Sequence, residues 1–265
     1  GLYPENHMVG MQQDRSLSEE INTIAERLSS VGYRTACLSS NPLIGPELGL
    51  TNGFDRVERI KPTLNECLKG LRQYPYVYGE FLARLNTHSV GFTRELPHSK
   101  DFLTTRIAQR WLKQFMSEDE PFFLYLHLNE PHRPYNPARE FLDSFVGDIN
   151  MSPTEARDCS LDIDDNLYEI IANGCELDEE QWDALQAMYR SEIAYTDKQV
   201  GELFDFVTEQ LDDTITVITS DHGELFGEHD LLAHKLVLDD AIVHVPLVIH
   251  GLQSIENQQG NVVQH

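Results

Sequence analysis

The apolar run Thr214-Ile215-Thr216-Val217-Ile218 gives way to Thr219-Ser220-Asp221-His222-Gly223-Glu224-Leu225-Phe226-Gly227-Glu228-His229, and this junction constrains the fold more than any other stretch. It reads as a buried strand ending in a loop of an oxygen donor, an imidazole and two glycines, the place where open α/β sheets present ligands. A strand tip fixes the Asp221 and His222 backbones, and Gly223 lets the chain turn at once, so that neighbouring side chains can converge on one ion. An Asp oxygen with a His nitrogen suits a divalent ion of intermediate hardness such as Mn²⁺ or Zn²⁺, whereas Ca²⁺ or Mg²⁺ asks for further carboxylates. The same pair also fits an Asp and a His that cap the next turn by hydrogen bonds, and spacing alone leaves both readings open.

The remaining pattern alternates helix and strand. Ser16 to Val31 carries apolar residues at helical spacing, opens with Ser16-x-x-Glu19 as a capping box, and stops at Gly32. A short strand follows over Thr35 to Ser39, broken by Asn41-Pro42 and Gly45-Pro46. Asp101 to Met116 predicts a helix with Phe102, Ile107, Trp111, Leu112 and Phe115 inward, ahead of a strand over Phe122 to Leu128. From Asp178 to Leu211 the apolar residues recur in steps of three, four and seven, which predicts one long helix with a kink at Gly201. Such repeats imply an α/β fold with a mainly parallel central sheet and helices on both faces. Residues 62–100 read as an irregular, partly helical insertion with Tyr74, Tyr76 and Tyr78, and residues 137–174 as an acidic, solvated one. The acidic stretch lacks the Gly that a calcium-binding loop needs after Leu161-Asp162-Ile163-Asp164-Asp165-Asn166.

Charge limits the partners. The 265 residues carry 44 Asp and Glu against 20 Lys and Arg, a formal charge of −24 that disfavours nucleic acid. An acidic surface with only 6 Lys fits a high-salt setting, where a Debye length of about 3 Å at molar salt removes self-repulsion. No apolar run reaches the roughly 18 residues of a membrane span. Cys37, Cys67, Cys159 and Cys175 form neither a C-x-x-C pair nor a regular spacing, so they read as reduced core residues. A cytoplasmic location is the expectation, and oligomeric state is not legible.

Ser220-Asp221-His222-Gly223-Glu224, then Gly227-Glu228-His229, His234-Lys235 and Val245-Pro246-Leu247-Val248-Ile249 resemble the C-terminal metal and lysine region of the sulfatases, in the alkaline phosphatase superfamily. Gly1-Leu2-Tyr3-Pro4-Glu5-Asn6-His7, Gly32-Tyr33-Arg34-Thr35-Ala36, Gly53-Phe54-Asp55 and the stretch from Pro121 to Tyr135 agree in order with further segments of that family. The resemblance implies a partial catalytic domain over residues 1–265 that binds one divalent ion, Ca²⁺ by family habit with Mn²⁺ or Mg²⁺ as alternatives, through Asp221 and His222. It implies that His132, in a loop stiffened by Pro131 and Pro134, contacts sulfate and protonates the leaving oxygen. Lys235 falls where the family keeps a lysine bridging sulfate and nucleophile. Without the resemblance, His132 reads equally as a surface loop histidine and Lys235 as a solvated one. His127 reads as a satisfied core histidine, and His229 and His234 as either surface residues or supports of the site.

Two departures qualify the resemblance. The family's Cys/Ser-x-Pro-x-Arg motif, whose first residue becomes formylglycine, and its paired N-terminal aspartates are not in this sequence, so the chain reads as an N-terminally truncated piece, inactive alone, with formylglycine expected upstream. Where many sulfatases have Gly-Lys-x-His, this chain has Ser39-Ser40-Asn41-Pro42, leaving Ser40 and Asn41 as the donors to a substrate anion. The expected activity of the intact protein is hydrolysis of a small-molecule or carbohydrate sulfate ester. The alternatives are a phosphodiesterase or phosphonate monoester hydrolase on the same scaffold, or a noncatalytic remnant.

Overall fold

The computed structural model describes residues 4–7, 9, 16–60, 64–79, 100–147, 149–234 and 237–252. The chain divides into two compact units, Gly1–Asp165 with Asp178–Leu203, and Asn166–Leu177 with Phe204–His265.

In the first unit three strands, β1 (Arg34–Ser39), β2 (Arg56–Arg59) and β3 (Phe122–His127), form a parallel sheet in the order β2-β1-β3, with Ser39 opposite His127. The central strand is buried from Thr35 to Ser39, as a parallel strand flanked on both edges must be. The helices Ile24–Ser29 and Lys100–Phe115 pack on this sheet. The second of them follows the expected register, and Phe102, Ile107, Trp111, Leu112 and Phe115 are all buried. Trp111 keeps its ring nitrogen satisfied by donating to Tyr74 Oη at 3.1 Å, and Tyr74 in turn donates to Glu58 Oε2 at 2.9 Å. The Arg56 guanidinium covers the indole at 3.8 Å from its centroid.

The first helix is shorter than the periodicity predicts. It spans Ile24–Ser29, and the capping box is Thr23 with Glu26, the Glu26 amide donating to Thr23 Oγ1 at 3.1 Å and the Thr23 amide to Glu26 Oε2 at 2.7 Å. Ser16-x-x-Glu19 has the right letters, yet residues 16–20 form coil and turn, with Leu17 N–H donating to the Leu48 carbonyl at 2.9 Å. The acidic segment also departs from expectation, for it is helical over Arg139–Val146, Pro153–Asp165 and Leu167–Ala172, with Leu142, Val146, Ala156, Ile163 and Leu167 buried. Apolar residues at helical spacing beneath a charged surface account for this. The long helix runs without a break over Glu179–Gln210, opened by Asp178, which accepts from Gln181 N at 2.8 Å. Tyr74 and Tyr78 of the first insertion are buried while Tyr76 is exposed; residues 80–99 lie outside the described ones.

In the second unit β4 (Thr216–Thr219) pairs antiparallel with β7 (Leu247–His250), and β5 (Leu225–Phe226) pairs antiparallel with β6 (Leu232–Ala233). The expected buried strand at the metal junction is corrected here: Ile215 and Val217 are 57% and 56% exposed. A two-stranded ribbon has no inner face of its own, so an apolar sequence in it is not buried by pairing alone. Among the described residues Cys37, Cys159 and Cys175 are free thiols; Cys37 and Cys175 are buried as expected of core cysteines, Cys159 is only half-buried, and burial pushes the Cys37 thiol up to about 11. No helix among the described residues is long and apolar enough to cross a membrane.

Gly53 takes φ +82°, and a Cβ there would meet the Glu26 backbone nitrogen at 2.3 Å, inside the capping box. Its carbonyl also accepts from Thr35 Oγ1 at 2.6 Å. Gly53→Ala is expected to lower the unfolding free energy by about 1–3 kcal/mol in urea titration, from left-handed strain alone, with the clash adding to it.

Candidate functional site

The second unit holds Asp221 and His222 at the end of β4. His222 Nδ1 lies 2.8 Å from the Gly223 carbonyl, which fixes the proton on Nδ1 and leaves Nε2 as the nitrogen with a lone pair. That Nε2 is 3.8 Å from Asp221 Oδ2, a spacing one ion can bridge, and the Asp221 side chain is 70% exposed. Asp221 Oδ1 accepts from the His222 amide at 3.1 Å, so the carboxylate is braced by the backbone it belongs to. The geometry therefore combines both sequence readings: Oδ1 caps the turn, and Oδ2 faces the imidazole. The pair fits a divalent ion as part of its shell. No group of three or more His, Cys, Asp or Glu that could hold a metal occurs among the described residues.

The loop's glycine serves closeness, not a special dihedral angle. Gly223 N–H donates to the Ile242 carbonyl at 2.7 Å, and a Cβ on Gly223 would lie 1.9 Å from the Ala241 carbonyl oxygen. Behind His222 lies His234, ring on ring at 4.2 Å between centroids, with Nδ1 3.3 Å from Oε1 of the nearly buried Glu224. His234 is thus a support of the imidazole, whereas His229 is a surface residue paired with Asp239 at 2.9 Å. Asp239 is held below the usual carboxylate range, first by the Ala241 amide it caps and then by His229. Lys235 lies outside the described residues.

The first unit holds the other candidates at the C-terminal ends of β1 and β3. Its His132 is exposed, with Nδ1 2.5 Å from the Arg133 carbonyl and its amide donating to the Asn129 carbonyl at 3.0 Å. Arg133 is ion-paired with Asp164 of the acidic segment. Asn41 Nδ2 lies 3.4 Å from His127 Nε2, while Asn41 Oδ1 accepts from the Leu43 amide at 2.9 Å. The Ser40 side chain faces inward, 3.1 Å from both Asp101 Oδ1 and the His127 carbonyl, so it ties β1 to β3. His127 is half-buried and not fully enclosed, with Tyr125 Oη 3.2 Å from its Nδ1.

Beneath this surface is a set of buried carboxylates that sequence reasoning passed over. Asp101 is fully buried and accepts from Ser40 Oγ, Asn129 N and Glu130 N at 3.1, 3.0 and 3.0 Å. Glu192 accepts from Asn136 N at 2.7 Å. Glu130 is pushed well above the carboxylate range, chiefly by burial and then by Asp101. The one available signal was the wrong letter on a helix face: Glu192 lies between Met188 and Tyr195 in the buried stripe of the long helix.

Comparison with known proteins follows the same lines. The sulfatase family profile matches residues 1–265. The chain belongs to the sulfatase family. It is 26% identical over 251 residues to the choline-sulfatase of Rhizobium meliloti, covering 87% of this chain and 48% of that one. It is 24% identical over 287 residues to the multifunctional alkaline phosphatase superfamily protein PehA of Trinickia caryophylli, covering 94% and 55%. Among solved structures it resembles a phosphonate monoester hydrolase of Agrobacterium radiobacter (21% identity, TM-score 0.59, covering 94% of this chain and 56% of that one). It also resembles BT4656 in complex with its substrate D-glucosamine-2-N,6-O-disulfate (17% identity, TM-score 0.60, covering 96% and 60%). These likenesses establish the alkaline phosphatase-like α/β fold of this sulfatase chain, which spans about half the length of the curated relatives it matches.

Burial raises Glu192 from 4.5 to about 8, against the lowering effect of the Asn136 amide and with the help of the Asp101 charge. Between those two values the folded state holds a proton that the unfolded chain has lost, so stability falls as pH rises through this window and levels off above it. The melting temperature is expected to drop between pH of about 5 and about 9 at constant salt, and Glu192→Gln to flatten that slope. A slope unchanged in the variant would remove Glu192 as its source.

Proposed function

We propose that residues 1–265 supply the metal side and the leaving-group side of a sulfatase active centre, and that the intact protein hydrolyses sulfate monoesters of a small molecule or a carbohydrate. The Asp221–His222 corner carries this reading, because its backbone bonds settle the tautomer of His222 and turn one carboxylate oxygen toward Nε2. Asp221 and His222 would hold one divalent ion, calcium by family resemblance with Mn²⁺ or Mg²⁺ as alternatives, which when bound would offset charge on the nonbridging sulfate oxygens. His132 gives a proton to the departing oxygen from Nε2, since the Nδ1 contact to the Arg133 carbonyl keeps the other nitrogen protonated before and after. Asn41 and Ser40 stand at the neighbouring strand tip, where Asn41 orients the ester and Ser40 holds the strand ends. Lys235 takes the bridging position between sulfate and nucleophile that the family resemblance assigns to it. The nucleophile, by that resemblance, is a formylglycine within a Cys/Ser-x-Pro-x-Arg motif, which residues 1–265 do not contain.

A second reading stays in the same superfamily. Ser39-Ser40-Asn41-Pro42 lacks the Lys and His of the Gly-Lys-x-His segment, and a site with fewer cations and donors for sulfate suits a phosphodiester or phosphonate ester as well. Turnover of p-nitrophenyl sulfate against bis-p-nitrophenyl phosphate by the intact protein separates the two, and higher kcat/KM for the phosphate would replace sulfate as the substrate class.

In the intact protein Asp221→Ala is expected to lose bound divalent metal, measured by elemental analysis after gel filtration, and at least about 100-fold in kcat/KM. Full metal content in the variant would refute the ligand assignment.

A further inference from the structure

The loop that carries His132 is held at both ends by buried carboxylates. At its start Asp101 accepts from the amides of Asn129 and Glu130, both at 3.0 Å, and at its end Glu192 accepts from the amide of Asn136 at 2.7 Å. His132 sits between these anchors, and its own amide closes a turn onto Asn129. Asp101 also accepts from Ser40 Oγ, so the same carboxylate sets β1 against β3. A side chain 0% exposed that takes three donors from two separate segments is not a surface accident.

We propose that Asp101 is a positioning residue for this site: it acts through the His132 loop, placing the imidazole against the ester while touching no substrate itself. This rests on the reading of His132 as the proton donor to the leaving oxygen. Two features support the assignment over a purely structural one. Two of the three bonds that Asp101 accepts come from the amides two and three positions before His132, and the third comes from Ser40 at the tip of β1. Glu130, whose amide is one of those donors, is itself buried, so the start of the loop is fixed in the interior beside Asp101. Hydrogen bonds from backbone amides to buried side-chain oxygens are directional, which suits a loop that must hold one side chain in place.

Each carboxylate oxygen of Asp101 accepts one of the two backbone amides, Oδ1 that of Asn129 and Oδ2 that of Glu130, so Asp101→Asn sets its NH₂ against one of them, leaves that donor without an acceptor and lets the loop shift. The test uses the intact protein and a series of aryl sulfates from nitrophenyl, a good leaving group, to unsubstituted phenyl, which needs the proton. Asp101→Asn is expected to lower kcat for phenyl sulfate roughly 10- to 100-fold and for nitrophenyl sulfate far less, in the direction of His132→Ala. In the His132→Ala background Asp101→Asn should have no further effect on kcat. Equal losses across the series, or losses that multiply in the double variant, would overturn the proposal. If His132→Ala alone shows no leaving-group dependence, the reading of His132 fails, a result separate from the failure of Asp101. Should Asp101→Asn not fold, hydrogen exchange on the wild-type protein decides: the amides of Asn129, Glu130 and Asn136 are expected to be protected as strongly as those of β3, and rapid exchange would overturn the anchoring.

Discussion

A carboxylate with no contact with solvent is kept only when donors replace the water it has lost, and Asp101 meets that condition with one hydroxyl and two amides. The consequence reaches beyond one side chain. Asp101 sits in the first turn of the helix Lys100–Phe115, and its partners stand at the tips of β1 and β3, so a single group joins the helix, two strands and the loop between Asn129 and Asn136. Ser40 adds a second tie, its amide donating to the His127 carbonyl at 3.1 Å and so extending the ladder one step past the last strand pair. Backbone groups at strand ends have lost their ladder partners, and a buried carboxylate at that level satisfies several at once. The end of a parallel sheet is also where its loops carry chemistry.

The second unit solves the same problem with different means. At the end of β4 the loop is pinned by backbone contact, with Gly223 against the carbonyl of Ala241, and by a stack of two imidazoles over Glu224. Glu224 is nearly buried and faces His234, which keeps the carboxylate paired and leaves the His222 ring with a flat neighbour on one side. An imidazole held by a carbonyl at Nδ1 and by a ring on its face has little freedom left, and a ligand with few orientations loses less entropy on binding. The apolar but exposed β4–β7 ribbon stands apart from this rigidity, since its order comes from antiparallel pairing and not from a core beneath it.

What was legible in the sequence had strong periodicity behind it. The helix expected over Asp101 to Met116 is found at Lys100–Phe115, and the one expected over Asp178 to Leu211 at Glu179–Gln210, because stripes of large apolar residues have few other ways to be buried. The Thr23 capping box was missed in favour of Ser16 because both follow the same S/T-x-x-E pattern, and what separates them is that the reciprocal bonds form at Thr23 and Glu26. For the site, Asp221, His222 and His132 stood out as local motifs beside strand ends. Asp101 did not, because its meaning lies in partners 61 and 28 residues away that no window on the chain contains. The reason for Gly223 was also misjudged: its place is dictated by a carbonyl from the helix Asp240–Val243, not by the dihedral angles of a turn.

The net charge sharpens the role of the Asp221–His222 corner. A chain with a formal charge of −24 repels a sulfate ester at low salt, and an exposed carboxylate at the site adds to that repulsion. Two like charges about 4 Å apart at an effective dielectric near 20 cost roughly 4 kcal/mol, more than one neutral hydrogen bond returns. Neutralising Asp221 by protonation would relieve the repulsion but leave nothing positive for the nonbridging oxygens. A divalent ion on the proposed pair would relieve it and reverse the local sign, and the His222 lone pair would help to hold that ion without adding a second negative charge. On so acidic a chain the proposed Asp–His pair would suit an anion only together with a cation, and higher salt, by screening the distant carboxylates more than an ion in contact, would leave that local attraction in place.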